Sequence, residues 1–220
     1  MLYIVSTPIG NLEDVTLRAL RTLKEVDYIA AEDTRHTQKL LQKYEIKTPT
    51  ISFHSYSSHG KLEKIVDLLK EGKTIALVSD AGTPGISDPA YSLIRRALEE
   101  NVKIIPIPGA SSLLAAIVVS GLPMDKFLYL GFLPLKKGRQ TLLNNLKEEP
   151  RTLVIFESPH RILRTLQELK EYLGDRDVAI CRELTKFYEE VLRMPLSKAI
   201  EHFEKISPKG EFVLVVKGSR

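Results

Sequence analysis

Short runs rich in Val, Ile and Tyr alternate along this chain with longer stretches of helical periodicity, and this alternation constrains the fold most strongly. It is typical of β-α-β units built around a largely parallel sheet. In the first half, the pattern predicts strands near 2–5, 28–31, 50–53, 74–79 and 102–107. The predicted helices of this half lie near 16–26, 34–43, 60–71, 88–100 and 110–120.

The pattern changes after residues 121–123 (Gly-Leu-Pro), which end the fifth predicted helix. Two predicted strands, 177–183 and 188–194, are joined by a four-residue link, which fits a hairpin and is too short for a parallel crossover. We therefore predict an α/β protein of two domains, with a mainly parallel sheet in residues 1–121 and a mixed sheet in residues 122–220. The other predicted elements are strands near 127–132, 152–157 and 211–217 and helices near 139–148, 159–173 and 195–205.

The composition limits the compartment and the class of partner. The 220 residues include one cysteine, Cys181, and carry a net charge of +4 from 32 basic and 28 acidic side chains. A single cysteine cannot form an internal disulfide, so a cytoplasmic location is expected. No apolar run reaches the roughly 18 residues of a membrane-spanning helix, and no membrane contact is expected. The mild basic excess permits a polyanionic partner without requiring one, because nucleic-acid binding depends on how Lys and Arg cluster.

Several common site patterns are absent from the sequence. It has neither a GxxxxGK[ST] phosphate loop nor a GxGxxG after the first strand, which weakens the NTPase and dinucleotide-binding hypotheses. The five histidines are scattered and no Cys/His pair has metal-ligand spacing, so no metal is expected. A GxSxG nucleophile elbow is also absent, which weakens a hydrolase hypothesis.

Three loops rich in glycine and proline follow predicted strands, the position at which open α/β sheets bind their ligands. They span residues 7–11, 80–89 and 106–112. Such loops carry little side-chain bulk, so their backbone can approach a ligand closely. Asp88 has an alternative role as the cap of the following helix, which we favour, and Ser111 or Ser112 could cap the next helix instead of contacting a ligand.

Eight motifs in chain order resemble the RsmI family of ribosomal RNA methyltransferases, which belongs to the tetrapyrrole-methylase-like class of S-adenosylmethionine (SAM) enzymes. The motifs are STPIGNLEDVTLRAL, AAEDTR, SDAGTPGISDPA, PIPGASS, GFLP, ESPHR, CRELTK and GEFVLVV, and they cover nearly the whole chain. The resemblance implies a homodimer of two α/β domains with SAM in the cleft between them. It also implies methylation of the ribose 2′-oxygen of a cytidine in the decoding region of 16S rRNA.

The resemblance further implies which residues bind SAM, and each of them lies in one of the strand-end motifs. In the first domain they are Pro8, Gly10, Asp80, Gly82, Thr83, Asp88, Ser111 and Ser112. In the second domain they are Phe132, Leu133, Glu157, Ser158, Gly210 and Glu211.

Methyl transfer to a ribose hydroxyl needs an aligned acceptor oxygen and removal of its proton, and it needs no metal. Three clusters with carboxylates beside cations, at residues 32–35, 157–161 and 182–186, offer the necessary groups, although each could instead form surface ion pairs or helix caps. We favour Asp33 or Glu157 as the base and Lys186 or Arg182 as the cation that stabilises the developing alkoxide. The candidate catalytic residues are Asp33, Arg35, Glu157, Arg182, Glu183 and Lys186.

Phosphate contacts to the RNA are expected from clustered cations. The candidates are Lys136, Lys137, Arg139, Arg161 and Arg164, with a solvated charged face as the alternative interpretation. The polar aromatic loop after the third predicted strand, which includes His54, is expected to contact the target nucleotide. Two other functions stay open: a porphyrinoid C-methylase of the same fold, and a non-catalytic RNA-binding or ribosome-assembly factor.

Overall fold

Five short strands form the first sheet, and all of them run parallel in the order β3-β2-β4-β1-β5. The computed structural model describes residues 1–54 and 59–219. The strands are β1 (Leu2–Val5), β2 (Tyr28–Ala31), β3 (Thr50–Ser52), β4 (Ile75–Val78) and β5 (Ile104–Ile107). The helices between them are α1 (Leu17–Glu25), α2 (Thr34–Lys43), α3 (His59–Lys70) and α4 (Ala90–Glu99), and a 3-10 turn spans Leu12–Asp14.

The two faces of this sheet are covered by different pairs of helices, because successive strand residues point to opposite faces. Leu2 and Leu77 belong to one buried cluster together with residues of α3 and α4. Val5 and Val78 belong to a second cluster together with residues of α1 and α2. The parallel arrangement predicted from the buried apolar runs is therefore confirmed.

The second sheet is mixed, with strand order β6-β7-β10-β8-β9. The pair β6/β7 is parallel and the other three pairs are antiparallel. Its strands are β6 (Phe127–Phe132), β7 (Thr152–Glu157), β8 (Asp177–Arg182), β9 (Glu190–Pro195) and β10 (Phe212–Val216). Its helices are α5 (Ser112–Ser120), α6 (Arg139–Asn145), α7 (Ile162–Leu173) and α8 (Leu196–Phe203).

The predicted hairpin between β8 and β9 is confirmed, but its connection is longer than the predicted four residues and spans 183–189. The chain leaves β8 through left-handed backbone conformations at Glu183 (φ 49°) and Thr185 (φ 65°). The N–H of Lys186 then donates to the carbonyl of Glu183 at 3.0 Å. These conformations end the strand pairing earlier than the apolar pattern indicated.

Helix α5 belongs to the second of the two compact units, which comprise residues 1–111 and 112–220. The predicted boundary was 121/122, one helix later. α5 buries Leu113, Ala116 and Ile117, and it packs against β8 and β10. Because its sequence is apolar on most sides, it covers part of the second sheet rather than ending the first domain.

Within the described residues, every helix is too short or too polar to span a bilayer.

Candidate functional site

The three predicted loops of the first unit meet at the carboxyl edge of its sheet. The N–H of Thr7 donates to the carbonyl of Gly82 at 2.9 Å, and the N–H of Gly82 donates back to the carbonyl of Thr7 at 3.0 Å. The hydroxyls of Ser6 and Thr83 share a hydrogen bond of 2.9 Å, and the Thr83 hydroxyl also donates to the carbonyl of Ala110 at 3.2 Å. Loops that are far apart in the sequence thus form one hydrogen-bonded surface.

Gly109 is required by the close approach of two of these loops. A Cβ atom at this position would lie 2.9 Å from Cβ of Ser6 and 3.4 Å from the Ser6 carbonyl oxygen. The first of these distances is shorter than real Cβ contacts, so the backbone after β5 can lie this close to the end of β1 only at a glycine unless Ser6 shifts. The glycine of the motif PIPGASS therefore allows the loop after β5 to contact the end of β1, a role that the sequence-based prediction did not assign to it.

Carboxylates give the same edge a negative potential. Burial, together with the charges of Asp80 and Asp88, raises the pKa of Glu32 above its ordinary value. Asp80 accepts a hydrogen bond from the N–H of Asp33 at 2.9 Å, which ties β4 to the start of α2. Asp88 accepts from the N–H groups of Gly85 and Ala90, so it contacts the start of α4, although the N-cap of that helix is Pro89.

Asp33 is the N-cap of α2, so its contacts are those of a helix cap, which was the alternative to a catalytic role. Its carboxylate accepts from the backbone N–H of Arg35 at 2.9 Å and pairs with the Arg35 guanidinium at 2.8 Å. These bonds lower the pKa of Asp33 far below the ordinary aspartate value. A carboxylate with so low a pKa is a weak base, and the Arg35 side chain, 90% exposed, is occupied by this local pair.

The predicted residues of the second unit also converge on one edge of their sheet. Phe212, the first residue of β10, is paired with Glu157 at the end of β7 on one side and with Arg182 at the end of β8 on the other. Phe132, the last residue of β6, is paired with Phe156. The register therefore brings four sequence motifs together: GFLP, ESPHR, CRELTK and the start of GEFVLVV.

Lys186 and Glu183 form the centre of one group at this edge. The ammonium of Lys186 lies 3.0 Å from Glu183 and 2.9 Å from Glu211, and the N–H of Glu211 donates to Glu183 at 2.9 Å. The backbone of Gly210 (φ 95°) leaves room for this group, since a Cβ there would lie 2.6 Å from Cγ of Glu183. Arg182 donates to the carbonyl of Lys209 at 2.7 Å.

The electrostatics keep both central groups charged. Burial alone would raise the pKa of Glu183, but the Glu211 N–H and the cations Lys186 and Arg182 lower it below its ordinary value. Burial alone would lower the pKa of Lys186, but its bonds to Glu211 and Glu183 raise it. Lys186 is therefore protonated at neutral pH, as its predicted role requires.

Glu157 is buried, and its carboxylate is fully used by neighbours from its own unit. It is 2% exposed and accepts from the Ser158 N–H at 2.8 Å, the Arg161 Nε at 2.7 Å and the Thr165 hydroxyl at 2.6 Å. A carboxylate with this environment is not accessible to a ribose hydroxyl. The structure therefore contradicts the prediction of Glu157 as the catalytic base and shows a structural role.

Arg139 and Arg161 are also committed to internal contacts. Arg139 is 3% exposed and bonds to Glu168 at 2.6 Å, to the Thr165 hydroxyl at 2.8 Å and to the carbonyl of Pro134 at 3.0 Å. Arg161 pairs with Glu157, and its Nη1 donates to the Leu133 carbonyl at 3.3 Å. The prediction that Arg139 contacts RNA is wrong, because this side chain lies inside the second unit.

The other predicted RNA contacts differ in exposure. Lys136 and Lys137 are exposed on the loop after β6. Arg164 is 59% exposed and pairs with Glu168 one helical turn away at 3.0 Å. His54, at the end of the described segment after β3, is half-buried.

The remaining predicted SAM contacts are a mixture of exposed and buried groups. Gly10 and Glu211 are exposed, Phe132 is 53% exposed, and Ser111, Ser112, Ser158 and Gly210 are half-buried. Pro8, Gly82 and Leu133 are buried, so their predicted contacts with SAM would be limited to backbone atoms or packing. Of the residues that the sequence-based prediction missed, Glu32 lies within the quoted AAEDTR motif, whereas Thr165 had no sequence signal.

The sequence of this chain is similar to a family model and to named relatives from other organisms. The family model described as tetrapyrrole (corrin/porphyrin) methylases matches residues 1–200. A relative from Thermotoga maritima, "Ribosomal RNA small subunit methyltransferase I", is 52% identical over 217 residues, which cover 99% of this chain and 98% of the relative. A Synechocystis relative with the same name is 52% identical over 221 residues, covering 100% of this chain and 79% of the relative.

Solved structures support the fold. Diphthine synthase has a TM-score of 0.77 at 14% identity and is matched over 98% of this chain and 89% of its own. Uroporphyrin-III C-methyltransferase from Thermus thermophilus, complexed with S-adenyl homocysteine, has a TM-score of 0.67 at 20% identity, covering 97% of this chain and 96% of its own. The predicted fold class, two α/β domains of the tetrapyrrole-methylase type, is confirmed.

Proposed function

We propose a function from one premise, namely that this chain belongs to the tetrapyrrole methylase family and, within it, to the ribosomal RNA small subunit methyltransferases I. It is an rRNA methyltransferase that uses SAM, and its substrate is 16S rRNA. The finer proposal is that the methyl group goes to the ribose 2′-oxygen of a cytidine in the decoding region. The observation that carries this function is the 52% identity to the Thermotoga maritima relative over nearly the full length of both chains.

The chemistry of the first unit's carboxyl edge fits SAM. SAM supplies a methyl group on a sulfonium cation, and it also carries an ammonium group and a ribose diol. The edge offers carbonyl oxygens, hydroxyls and the carboxylates of Glu32, Asp80 and Asp88, and burial together with the charges of Asp80 and Asp88 raises the pKa of Glu32. Such a set of acceptors favours a cationic ligand with hydroxyl donors, whereas a phosphate-bearing ligand would be repelled.

Among the candidate catalytic residues, the geometry supports Lys186 best. It is half-buried, remains protonated and lies at the edge where β8 and β10 meet. A fixed cation there can stabilise the alkoxide that develops as the ribose hydroxyl loses its proton. Arg182 and Glu183 are its proposed partners, Glu183 as an ionised group that orients Lys186. With Glu157 inaccessible and Asp33 a weak base, we propose that orientation and cationic stabilisation outweigh general-base catalysis.

Incubating the protein with labelled SAM and purified small ribosomal subunits, naked 16S rRNA or a porphyrinoid tests this function. We expect label only in RNA. Because a 2′-O-methyl group blocks attack of that oxygen on the adjacent phosphodiester, alkaline hydrolysis should leave a labelled dinucleotide that begins with cytidine. A labelled mononucleotide would refute ribose methylation, and a labelled porphyrinoid would favour the C-methylase. RNA binding without any label would favour a non-catalytic assembly factor.

Two further parts of the proposal concern partners. We propose that the enzyme acts in the cytoplasm as a homodimer, which sedimentation equilibrium tests directly: a single species of monomer mass would exclude it. We also propose that Lys136 and Lys137 contact RNA phosphates. Changing both to Ala should flatten the salt dependence of RNA binding while leaving SAM affinity unchanged; an equal loss of both affinities would contradict this role.

A further inference from the structure

Basic side chains are concentrated on α1 and α2. α1 carries three basic residues and one acidic residue, and α2 carries three basic residues and no acidic residue. These two helices therefore have a net charge of +5, which exceeds the +4 of the whole chain, so the rest of the chain has a net charge of −1. The positive charge of this protein thus resides on one helical layer.

The two helices cover the same face of the first sheet. Residues from both belong to the buried cluster under one face of the first sheet. The Tyr44 hydroxyl after α2 donates to the carbonyl of Leu12 before α1 at 2.8 Å, and the Thr48 hydroxyl donates to the carbonyl of Leu23 in α1 at 2.6 Å. Their polar sides therefore both face away from the sheet on this side, and their exposed cations, here called the basic face, are Arg18, Arg21, Lys24, Lys39 and Lys43.

Within the part of the chain that the structure describes, the cations of the basic face have no acidic partners. All five are exposed, and among residues 1–54 and 59–219 none of them forms an ion pair or a side-chain hydrogen bond. The helices on the opposite face of the sheet differ: Arg96 of α4 bonds to Glu63 at 3.1 Å and to Glu100 at 2.6 Å. Cations without partners keep their full charge for an external polyanion, whereas the paired Arg96 does not.

A groove of about 450 Å³ adjoins the basic face. Arg18 and Arg21 line it together with Tyr3 of β1 and Ile105 of the edge strand β5. Tyr3 is half-buried: it packs against the buried cluster under this face and also lines the groove. Single-stranded RNA is bound by this combination of cations along the backbone and an aromatic ring for an unpaired base. Glu25, which also lines the groove, can accept a hydrogen bond from a base amino group.

We infer that the basic face binds the backbone of the substrate RNA and that the adjoining groove takes an unpaired base. This inference rests on the proposed function, because that function supplies the polyanion. A second copy of this chain is a poorer occupant, since a symmetric contact would bring two surfaces of net charge +5 together. RNA neutralises that charge instead.

Binding of a 16S rRNA transcript to two double variants at several salt concentrations tests the inference. One variant is Arg18→Gln with Arg21→Gln on α1, and the other is Lys39→Gln with Lys43→Gln on α2. If each pair makes two phosphate contacts, the slope of log affinity against log salt should fall by about 1.4 to 1.8, and affinity at 150 mM salt by about 10- to 30-fold.

Lys61→Gln with Lys64→Gln provides the matched control, because these exposed lysines lie on α3, on the opposite face of the sheet. It makes the same change in net charge and should leave the slope unchanged. Equal effects of the control and the two test variants would overturn the inference, since only total charge would then matter. Unchanged slopes combined with a change in oligomer mass would also overturn it, in favour of a contact between copies.

Tyr3→Leu tests the groove separately, because Leu keeps apolar packing but cannot stack on a base. RNA affinity should fall at least about 5-fold with an unchanged salt slope, and unchanged affinity would remove the groove from the site. Thermal unfolding and SAM binding by calorimetry identify variants that fail to fold. If the parent protein labels 16S rRNA while the double variants bind it normally, the inference fails alone; if the parent transfers no methyl group, the proposed function fails.

Discussion

Replacing Glu157 by Ala should destabilise the second unit rather than abolish a chemical step. The substitution removes three accepted hydrogen bonds and leaves the Arg161 guanidinium, only 20% exposed, without its carboxylate. Removing one partner of a buried ion pair costs about 3–5 kcal/mol, and the residual exposure of Arg161 favours the lower end. For a chain of this size, about 3 kcal/mol corresponds to a fall in Tm of roughly 6–12 °C.

Three companion variants make this prediction specific. Glu157→Gln keeps one of the two acceptor oxygens and should lose less stability than Glu157→Ala, whereas a catalytic base would be lost in both. Replacing Glu157 and Arg161 together by Leu should cost less than the sum of the single losses, because no unpaired charge then stays buried. Glu201→Ala removes an exposed ion pair with Lys198 at 3.0 Å and should cost at most about 1 kcal/mol.

Urea unfolding gives the stabilities, and methyl transfer is measured at a temperature at which every variant is folded. The reasoning would be refuted if Glu157→Ala and Glu157→Gln unfolded like the parent protein and yet lost all methyl transfer. That result would mean that the carboxylate becomes accessible during catalysis and acts on the substrate itself.

Three other predictions follow from the same contacts. Because the folded state raises the pKa of Glu32, ionisation of Glu32 destabilises that state. Glu32→Gln should therefore stabilise the protein at pH 7, and the gain should vanish below about pH 4 when urea unfolding is measured against pH; a loss of stability at pH 7 would contradict this. Gly109→Ala must push Ser6 away and should cost about 1–3 kcal/mol in thermal unfolding, whereas a neutral result would mean that the two loops separate freely. Burial raises the pKa of Cys181 to about 11, so a thiol reagent at pH 8 should modify it only after unfolding in guanidinium; rapid modification of the native protein would contradict this burial.

The sequence predicted the strands well because strands that are buried on both faces appear as apolar runs, and the antiparallel strands β8 and β10 are as buried as the parallel ones. All ten strands predicted from these runs are present, with small differences at their ends. The predicted SAM loops converge because Thr7 and Gly82 follow two strands, β1 and β4, that are adjacent and parallel. The topology alone therefore brings these loops to one edge of the sheet.

The fate of individual charged side chains was not predictable in this way. Arg139 looked like part of a basic run with Lys136 and Lys137, but its partners Thr165 and Glu168 come from α7, which is remote in the sequence. Conversely, the basic face was missed because its members are spread over two helices and form no run. Only the fold brings them to the same side of the first sheet.

The position of α5 defines where this chain can be divided. The helix follows the first unit directly in sequence, yet it packs on β8 and β10, where Cys181 Sγ lies 3.8 Å from the Ala116 carbonyl. A fragment that started at residue 122 would leave those strands bare and prone to self-association. A protein that is divided or exchanged between relatives should therefore be cut at the bond between Ser111 and Ser112. The helix then stays in the same fragment as the sheet that it covers.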